Sequence, residues 1–240
     1  MKALEDTDRI NTYKIEAARF SYLMFQNAWD LLQTEVATVL ALSDLNESKA
    51  VAISAAALAA VDHAMRFCNV LTQIKGMKRS EPGITAVYRI KKAIEDVRNH
   101  IQHIDQSAHK ADARTYPILG AVSWPSADGR RSFTTSLGTV PEGTMFHTLS
   151  FDQELGRYVG GITLSVGKFD LELERIMPAL QAGEDQLARW LAAKGHLSTN
   201  DLQPSSASMG PLLAPGRRFV RGNFIFTDTA PAGVHPEAGE

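Results

Sequence analysis

Four stretches in which apolar residues recur every three and four positions, interrupted once by a block of period two, restrict this chain to a mainly helical fold. In the first stretch Ile10, Tyr13, Ala17, Phe20, Met24, Ala28 and Leu31 form the stripe, which Val36 and Leu40 extend. It predicts a helix from about Thr7 to about Leu42, with Asp6 and Asp8 at its positive end. Ser43-Asp44-Leu45-Asn46 is a short break, and a short break implies that the next helix runs antiparallel. Asn46 suits the N-cap of that helix, because its side-chain oxygen can accept from a first-turn amide. The second helix is expected from Glu47 to about Ile74. Its many alanines favour helix and let a neighbour approach closely. Gly76 is its expected stop. A third helix is predicted from Ile84 to about His109, with Val87, Ile90, Ile94, Val97, Ile101 and Ile104 as its seam. The fourth, from Lys168 to Lys194, carries Phe169, Leu173, Ile176, Leu180, Leu187 and Trp190. Pro178 and Gly183 predict a kink or break near Met177.

The period-two block lies between the third and fourth helices. Strands are predicted over Pro117–Trp124, Arg131–Leu137, Thr144–Phe151 and Arg157–Val166. Asp128-Gly129 is a hairpin signal, and Gly160-Gly161 reads as a bulge. The expected fold class is therefore an antiparallel four-helix bundle over residues 1–195, with a β-meander inserted at residues 115–167. Residues 196–240 are rich in Pro, Gly, Ser and Ala and read as mostly irregular, with strand character at Arg218–Thr227.

Composition narrows the function classes. In 240 residues, 25 basic and 27 acidic side chains give a net charge of −2, so a nucleic-acid role needs a local basic patch. The one cysteine, Cys68, leaves no internal disulfide and no cysteine-based zinc site. The N-terminus lacks a signal-peptide pattern, and the alanine-rich stretch is broken by Asp62, His63 and Arg66. A cytoplasmic protein without a membrane span is expected. No phosphate-binding glycine loop, nucleophile elbow or zinc-protease helix is present, and no cofactor is expected.

Chemistry is densest in Val97–Asp105, which reads Val-Arg-Asn-His-Ile-Gln-His-Ile-Asp. At 100° per residue, Arg98, Asn99 and His103 fall on the half of the third helix turned away from its seam. Arg98-Asn99-His100-Ile101-Gln102-His103 resembles the signature of the HEPN family, an arginine, a polar residue and a histidine late in the third helix of a four-helix bundle. The resemblance implies an all-α dimeric domain. Many members are metal-independent endoribonucleases, often toxins, and others are non-catalytic binding modules.

For RNA cleavage, Arg98 suits a phosphate, since its planar fork donates two hydrogen bonds and stays charged. His103 suits proton transfer near neutral pH. Asn99, one turn from His103, suits orientation of the ring or of a substrate oxygen. His100 sits nearer the seam and is a candidate binding residue. Asp62 and His63 on the second helix are candidates to meet the motif across the bundle, while an Asp62–Arg66 pair within that helix is the simpler reading. His100, His103 and Asp105 make a weak metal cluster, because Asp105 points nearly opposite, and no metal site is expected. Lys75, Lys78, Arg79, Arg89, Lys91 and Lys92 form a basic edge, and Arg217, Arg218 and Arg221 lie beside Phe219 and Phe224. Either group reads as a nucleic-acid track or as ordinary solvated surface. The expected partners are a second copy, RNA or a nucleotide, and a protein such as an antitoxin. The alternative to an endonuclease is a non-catalytic module that binds nucleotide, RNA or a partner protein through the same cleft.

Overall fold

A computed structural model describes residues 2–42, 46–104, 119–136 and 150–194. Helix α1 spans Lys2–Leu42, α2 Glu47–Leu71, α3 Pro82–Gln102 and α4 Leu173–Ala193. Between α3 and α4 lie six short strands: β1 Ala121–Pro125, β2 Ser132–Ser136, β3 Ser150–Asp152, β4 Arg157–Val159, β5 Thr163–Val166 and β6 Phe169–Glu172. The fold is mainly helical with a small antiparallel sheet.

Each helix runs antiparallel to the one before it. The start of α1 meets the end of α2, where Asn11 Oδ1 accepts from the Lys75 amide at 3.0 Å and Lys14 Nζ donates to the Gln73 carbonyl at 3.1 Å. Asn46 caps α2 as its sequence suggests, accepting from the Lys49 amide at 3.1 Å. α2 is the central helix. Between Ala50 and Leu71 only Ala55 and Arg66 are exposed. The rest packs on α1, α3, α4 and the sheet. By length and composition alone α2 is apolar enough to cross a membrane, but 56% of that stretch is buried against these neighbours. Its alanines let α1 bring Phe25, Trp29 and Leu32 close.

The first helix buries only part of the predicted stripe, Ala28 and Val36, with Leu40 packed against them. Ile15, Ala18, Tyr22, Phe25, Trp29, Leu32, Val36 and Val39 are buried, whereas Ile10, Tyr13, Phe20 and Leu31 are exposed. Both sets recur at three and four. The buried set holds more bulk, including the helix's one tryptophan, and a larger apolar volume gains more from leaving water.

α3 and α4 approach through glycines. A Cβ on Gly83 would run into the Ala182 carbonyl oxygen and lie 2.7 Å from Gln186 Cβ. One on Gly183 would sit 2.7 Å from Val87 Cγ2. The predicted α3 seam is in place, with Val87, Ile94 and Val97 buried and Ile90 and Ile101 packed against them. The helix ends at Gln102, earlier than expected. Residues 105–118 lie outside the described residues, as do 137–149 and 195–240, which hold Asp105, part of the predicted third strand and the Arg218–Thr227 stretch.

The β-region is not a simple meander. One sheet has the order β2-β1-β5-β6, all pairs antiparallel, and β3-β4 is a separate two-stranded ribbon. β5 therefore returns past the ribbon to pair with β1, Val122 opposite Leu164. Gly160-Gly161 is the break between β4 and β5 rather than a bulge. Gly161 leaves room for the Glu174 carboxylate, which accepts from the Ile162 amide at 2.7 Å. Residues 169–172, predicted as the start of the fourth helix, form the edge strand β6, and the helix begins only at Leu173. Gly167, with φ 55°, turns β5 into β6, and Leu171 then faces Leu164. α4 is continuous across Pro178, so no break occurs near Met177. Trp124 is fully buried and stacks on Phe133, its cross-strand partner, at 5.9 Å. Sheet and helices share one apolar cluster, reaching from Phe25 to Leu164 and Val166.

Gly83→Ala is expected to destabilise the protein by about 2 kcal/mol, because the added methyl meets backbone that cannot rotate away. Urea denaturation of the full chain checks this.

Candidate functional site

The polar residues of α2 have little choice of surroundings. Asp62 lies at the edge of the packed surface of α2, its side chain 30% exposed. It is paired twice. Arg98 Nε on α3 donates to Asp62 Oδ1 at 2.9 Å, and Arg66 Nε on α2 donates to Oδ2 at 2.7 Å. Both sequence readings of Asp62, the i,i+4 pair and the bridge to the motif, are realised in one carboxylate. Burial pushes the Asp62 carboxyl up, but the two guanidiniums outweigh it and hold the group below the usual carboxylate range.

Each arginine is gripped through Nε, the inner nitrogen of its fork. Among the described residues, the terminal amino groups of Arg66 and Arg98 have no hydrogen-bond acceptor. Arg98 is a quarter exposed at its side chain and Arg66 is 60% exposed. One carboxylate and two guanidiniums leave a local charge of +1, with each fork held through Nε. That arrangement suits an anion with several oxygens, such as a phosphate.

The other predicted residues divide. His63 follows Asp62 on α2 and is half-buried. Burial, opposed by Asp62 and aided by Arg66, lowers its pKa, so the ring is mostly neutral at pH 7. His100 belongs to the fold. Its ring fills the space a Cβ would need at Gly167 and meets the Phe169 ring edge-on at 6.1 Å. It wedges the end of α3 against the β5–β6 turn. Nothing in the sequence marks that contact except its place near the α3 seam. Asn99 is exposed, and its carbonyl accepts from the His103 amide at 3.0 Å. His103 is therefore the C-cap of α3, at φ −113° and ψ 37°, rather than a residue of a continuing helix. It is exposed, and no contact joins it to Arg98 among the described residues. The structure thus brings Asp62, Arg66 and Arg98 together and leaves Asn99 and His103 at the nearby helix end. Arg66 is the member of the cluster that sequence reasoning treated only as Asp62's intrahelical partner.

The basic edge at the α2–α3 turn is partly committed elsewhere. Arg79 lies 4.3 Å from the Tyr88 ring centre, and Lys92 pairs with Asp96 at 2.7 Å. Cys68 is buried, and burial pushes its thiol up to about 12, which suits a core side chain and not a nucleophile. Among the described residues no three His, Cys, Asp or Glu side chains are grouped as ion ligands. Comparison of the chain with protein-family models, with curated proteins and with solved structures found no match.

The bridge between α2 and α3 carries a pH signature. A carboxyl whose folded pKa lies below its unfolded value of about 3.9 stabilises the fold above that value and loses the contribution as pH falls through the folded one. Asp62→Asn is expected to cost about 1 kcal/mol at pH 7, and the gap from wild type should narrow as the pH falls below the unfolded value toward the folded one. Urea titrations of both proteins across that pH range measure it.

Proposed function

We propose that this chain is a HEPN-like protein directed at RNA, whose α2–α3 face takes a backbone phosphate on Arg98 and Arg66. The observation that carries this reading is the grip of Asp62 on Arg98 through Nε, which orients the outer donors of the fork without consuming them. The arginine comes from the stretch that resembles the HEPN signature, late in the third of the four described helices, each antiparallel to the one before it, which is the order a HEPN-like bundle would have.

The reaction that fits these groups is attack by a ribose 2′-hydroxyl on its own phosphate. A base removes the 2′-hydroxyl proton, the oxygen bonds to phosphorus, and the bond to the 5′-oxygen breaks as that oxygen receives a proton. Arg98 and Arg66 stabilise the charge gathering on the non-bridging oxygens. His103, at the end of the same helix as Arg98, is the proposed proton carrier, with Asn99 one turn away to orient it. The nucleophile is part of the substrate and its activation needs only proton transfer, so cleavage is expected to proceed without a metal ion. Toxin-like or defence-related cleavage inside the cell, restrained by an antitoxin, is the biological setting this chemistry fits.

A second reading is a non-catalytic module that holds RNA or a nucleotide through the same arginines. It is favoured by one observation: His103 caps α3 and, among the described residues, makes no contact with Arg98.

In excess EDTA the purified protein is expected to cut RNA to a 2′,3′-cyclic phosphate and a 5′-hydroxyl, and to leave a substrate with a 2′-deoxy sugar at the cut site intact. Arg98→Ala and His103→Ala should each reduce the rate by about 100-fold or more, while His100→Ala should act through stability alone. Cleavage that persists in both the Arg98 and His103 variants would overturn the catalytic assignment. Diverse RNAs left uncut by wild type would leave the binding reading, which then requires RNA affinity that Arg98→Ala weakens.

A further inference from the structure

The turn between α2 and α3 gathers positive charge at the opposite end of α3 from Arg98. Lys75, Lys78, Arg79, Arg89, Lys91 and Lys92 stand there against one acid, Glu81, in a chain whose net charge is −2. One oxygen of that acid, Oε2, is buried. A local excess of cations is what a polyanion needs when the chain as a whole offers none.

Two of these cations border the groove that leads to Arg98. Along α3, Tyr88, Lys91, Glu95, Arg98 and Gln102 recur at three and four and fall within about 80° of arc. The first four are half-buried, so the stripe marks the border between the α3 seam and solvent. It is the border on the α2 side, because Arg98 bonds Asp62 and the Lys91 charge acts on the buried Cys68 thiol. Glu95, the acid of this stripe, has the Lys92 ammonium as a neighbour. The Lys91 ammonium has no hydrogen bond or ion pair among the described residues.

At the turn the stripe ends in a stack. The Arg79 guanidinium lies over the Tyr88 ring, 4.3 Å from its centre. The loop that carries Arg79 is held in place: the Glu81 amide donates to the Lys78 carbonyl at 3.0 Å, and the Thr85 hydroxyl to the Arg79 carbonyl at 2.9 Å. The stack uses only the face of the guanidinium, whose N–H donors have no acceptor among the described residues. Arg79 is exposed, so the pair is open to solvent. A planar cation on a ring is a platform for a nucleobase, while neighbouring cations meet the phosphates of the same strand.

We infer that the Arg79–Tyr88 stack is a nucleobase subsite, and that single-stranded RNA lies along the α2–α3 border from Arg98, past Lys91, to this stack. The inference rests on the reading of Arg98 as a phosphate contact, and it adds a path and a strand state. Lys91 lies about 10 Å and Tyr88 about 15 Å along the helix axis from Arg98. The stacked base therefore belongs to a nucleotide a few positions from the phosphate on Arg98 and Arg66. Duplex RNA cannot use the subsite, because its bases already stack on one another.

A 2′-O-methyl RNA strand of about 12 nucleotides, with 2-aminopurine set among uridines, is the probe, since its blocked 2′-oxygen prevents cleavage. Wild type should quench the 2-aminopurine on binding. Tyr88→Leu keeps an apolar side chain against the core, and it should abolish the quench and weaken binding about 10-fold with an unchanged melting curve. Tyr88→Phe should restore both, and Arg79→Gln should weaken binding about fivefold. The same sequence as a duplex should bind wild type and Tyr88→Leu alike. Wild-type affinity and quench in Tyr88→Leu, with a loss in Arg98→Ala, overturn the subsite and leave the phosphate reading standing. A loss in Tyr88→Leu with none in Arg98→Ala supports the stack and overturns the phosphate reading. A wild-type protein that binds no strand overturns both.

Discussion

Asp62 lies on a helix with almost no free face, and much of the rest follows from that. α2 contacts the other three helices and the sheet, and its alanines are what allow so many neighbours at once. A carboxylate placed there must find cations. Arg66 is supplied by the same helix four residues on, and Arg98 by the helix opposite. The pairing fixes the rotation of α3 against α2 and, in the same step, the direction in which Arg98 presents its outer donors. A requirement of packing thus also sets how Arg98 is presented at the proposed site.

A second constraint acts on α1. The helix has two apolar stripes, each repeating at three and four, and the bundle can bury only one of them. The chain interior takes the stripe with Tyr22, Phe25, Trp29 and Leu32. Tyr22 also reaches α4, donating to Gln181, and burial pushes its hydroxyl up to about 12, so it stays protonated and a donor near neutral pH. The second stripe is left facing outward.

How much of this was legible in the sequence depends on how unique each pattern was. The α3 seam had one solution, and it is the one observed. Asn46 had one geometric use and serves it. α1 carried two equivalent periodicities, and period alone cannot choose between them; the clustering of Trp29 with Phe25 and Tyr22 was the available signal. Phe169 fits the helical spacing of Leu173 and Ile176 as well as the alternation Phe169-Asp170-Leu171-Glu172. The Gly167 turn and the pairing of Leu171 with Leu164 decide for strand, and pairing is a long-range fact that no local window holds. The same is true of β5 returning to β1. In the site, a meeting of Asp62 with the motif was one of two readings of that residue; Arg98, turned away from the α3 seam, makes it with its long side chain. The packing of His100 on Gly167 and Phe169, and the end of α3 at Gln102 that makes His103 a cap, depend on where the sheet docks.

The central claim is that Asp62 serves the site by positioning Arg98, and the RNA affinity of Asp62→Asn tests it most directly. The substitution removes a negative charge from the cluster. If the site were a diffuse positive patch, binding would therefore tighten. If Asp62 holds the fork in place, binding weakens in spite of the gained positive charge, by about 10-fold, and Arg98→Ala added to it changes little further. Affinity measured at one fixed salt concentration for the two single variants and the double variant decides between them. Unchanged or tighter binding by Asp62→Asn would contradict the account.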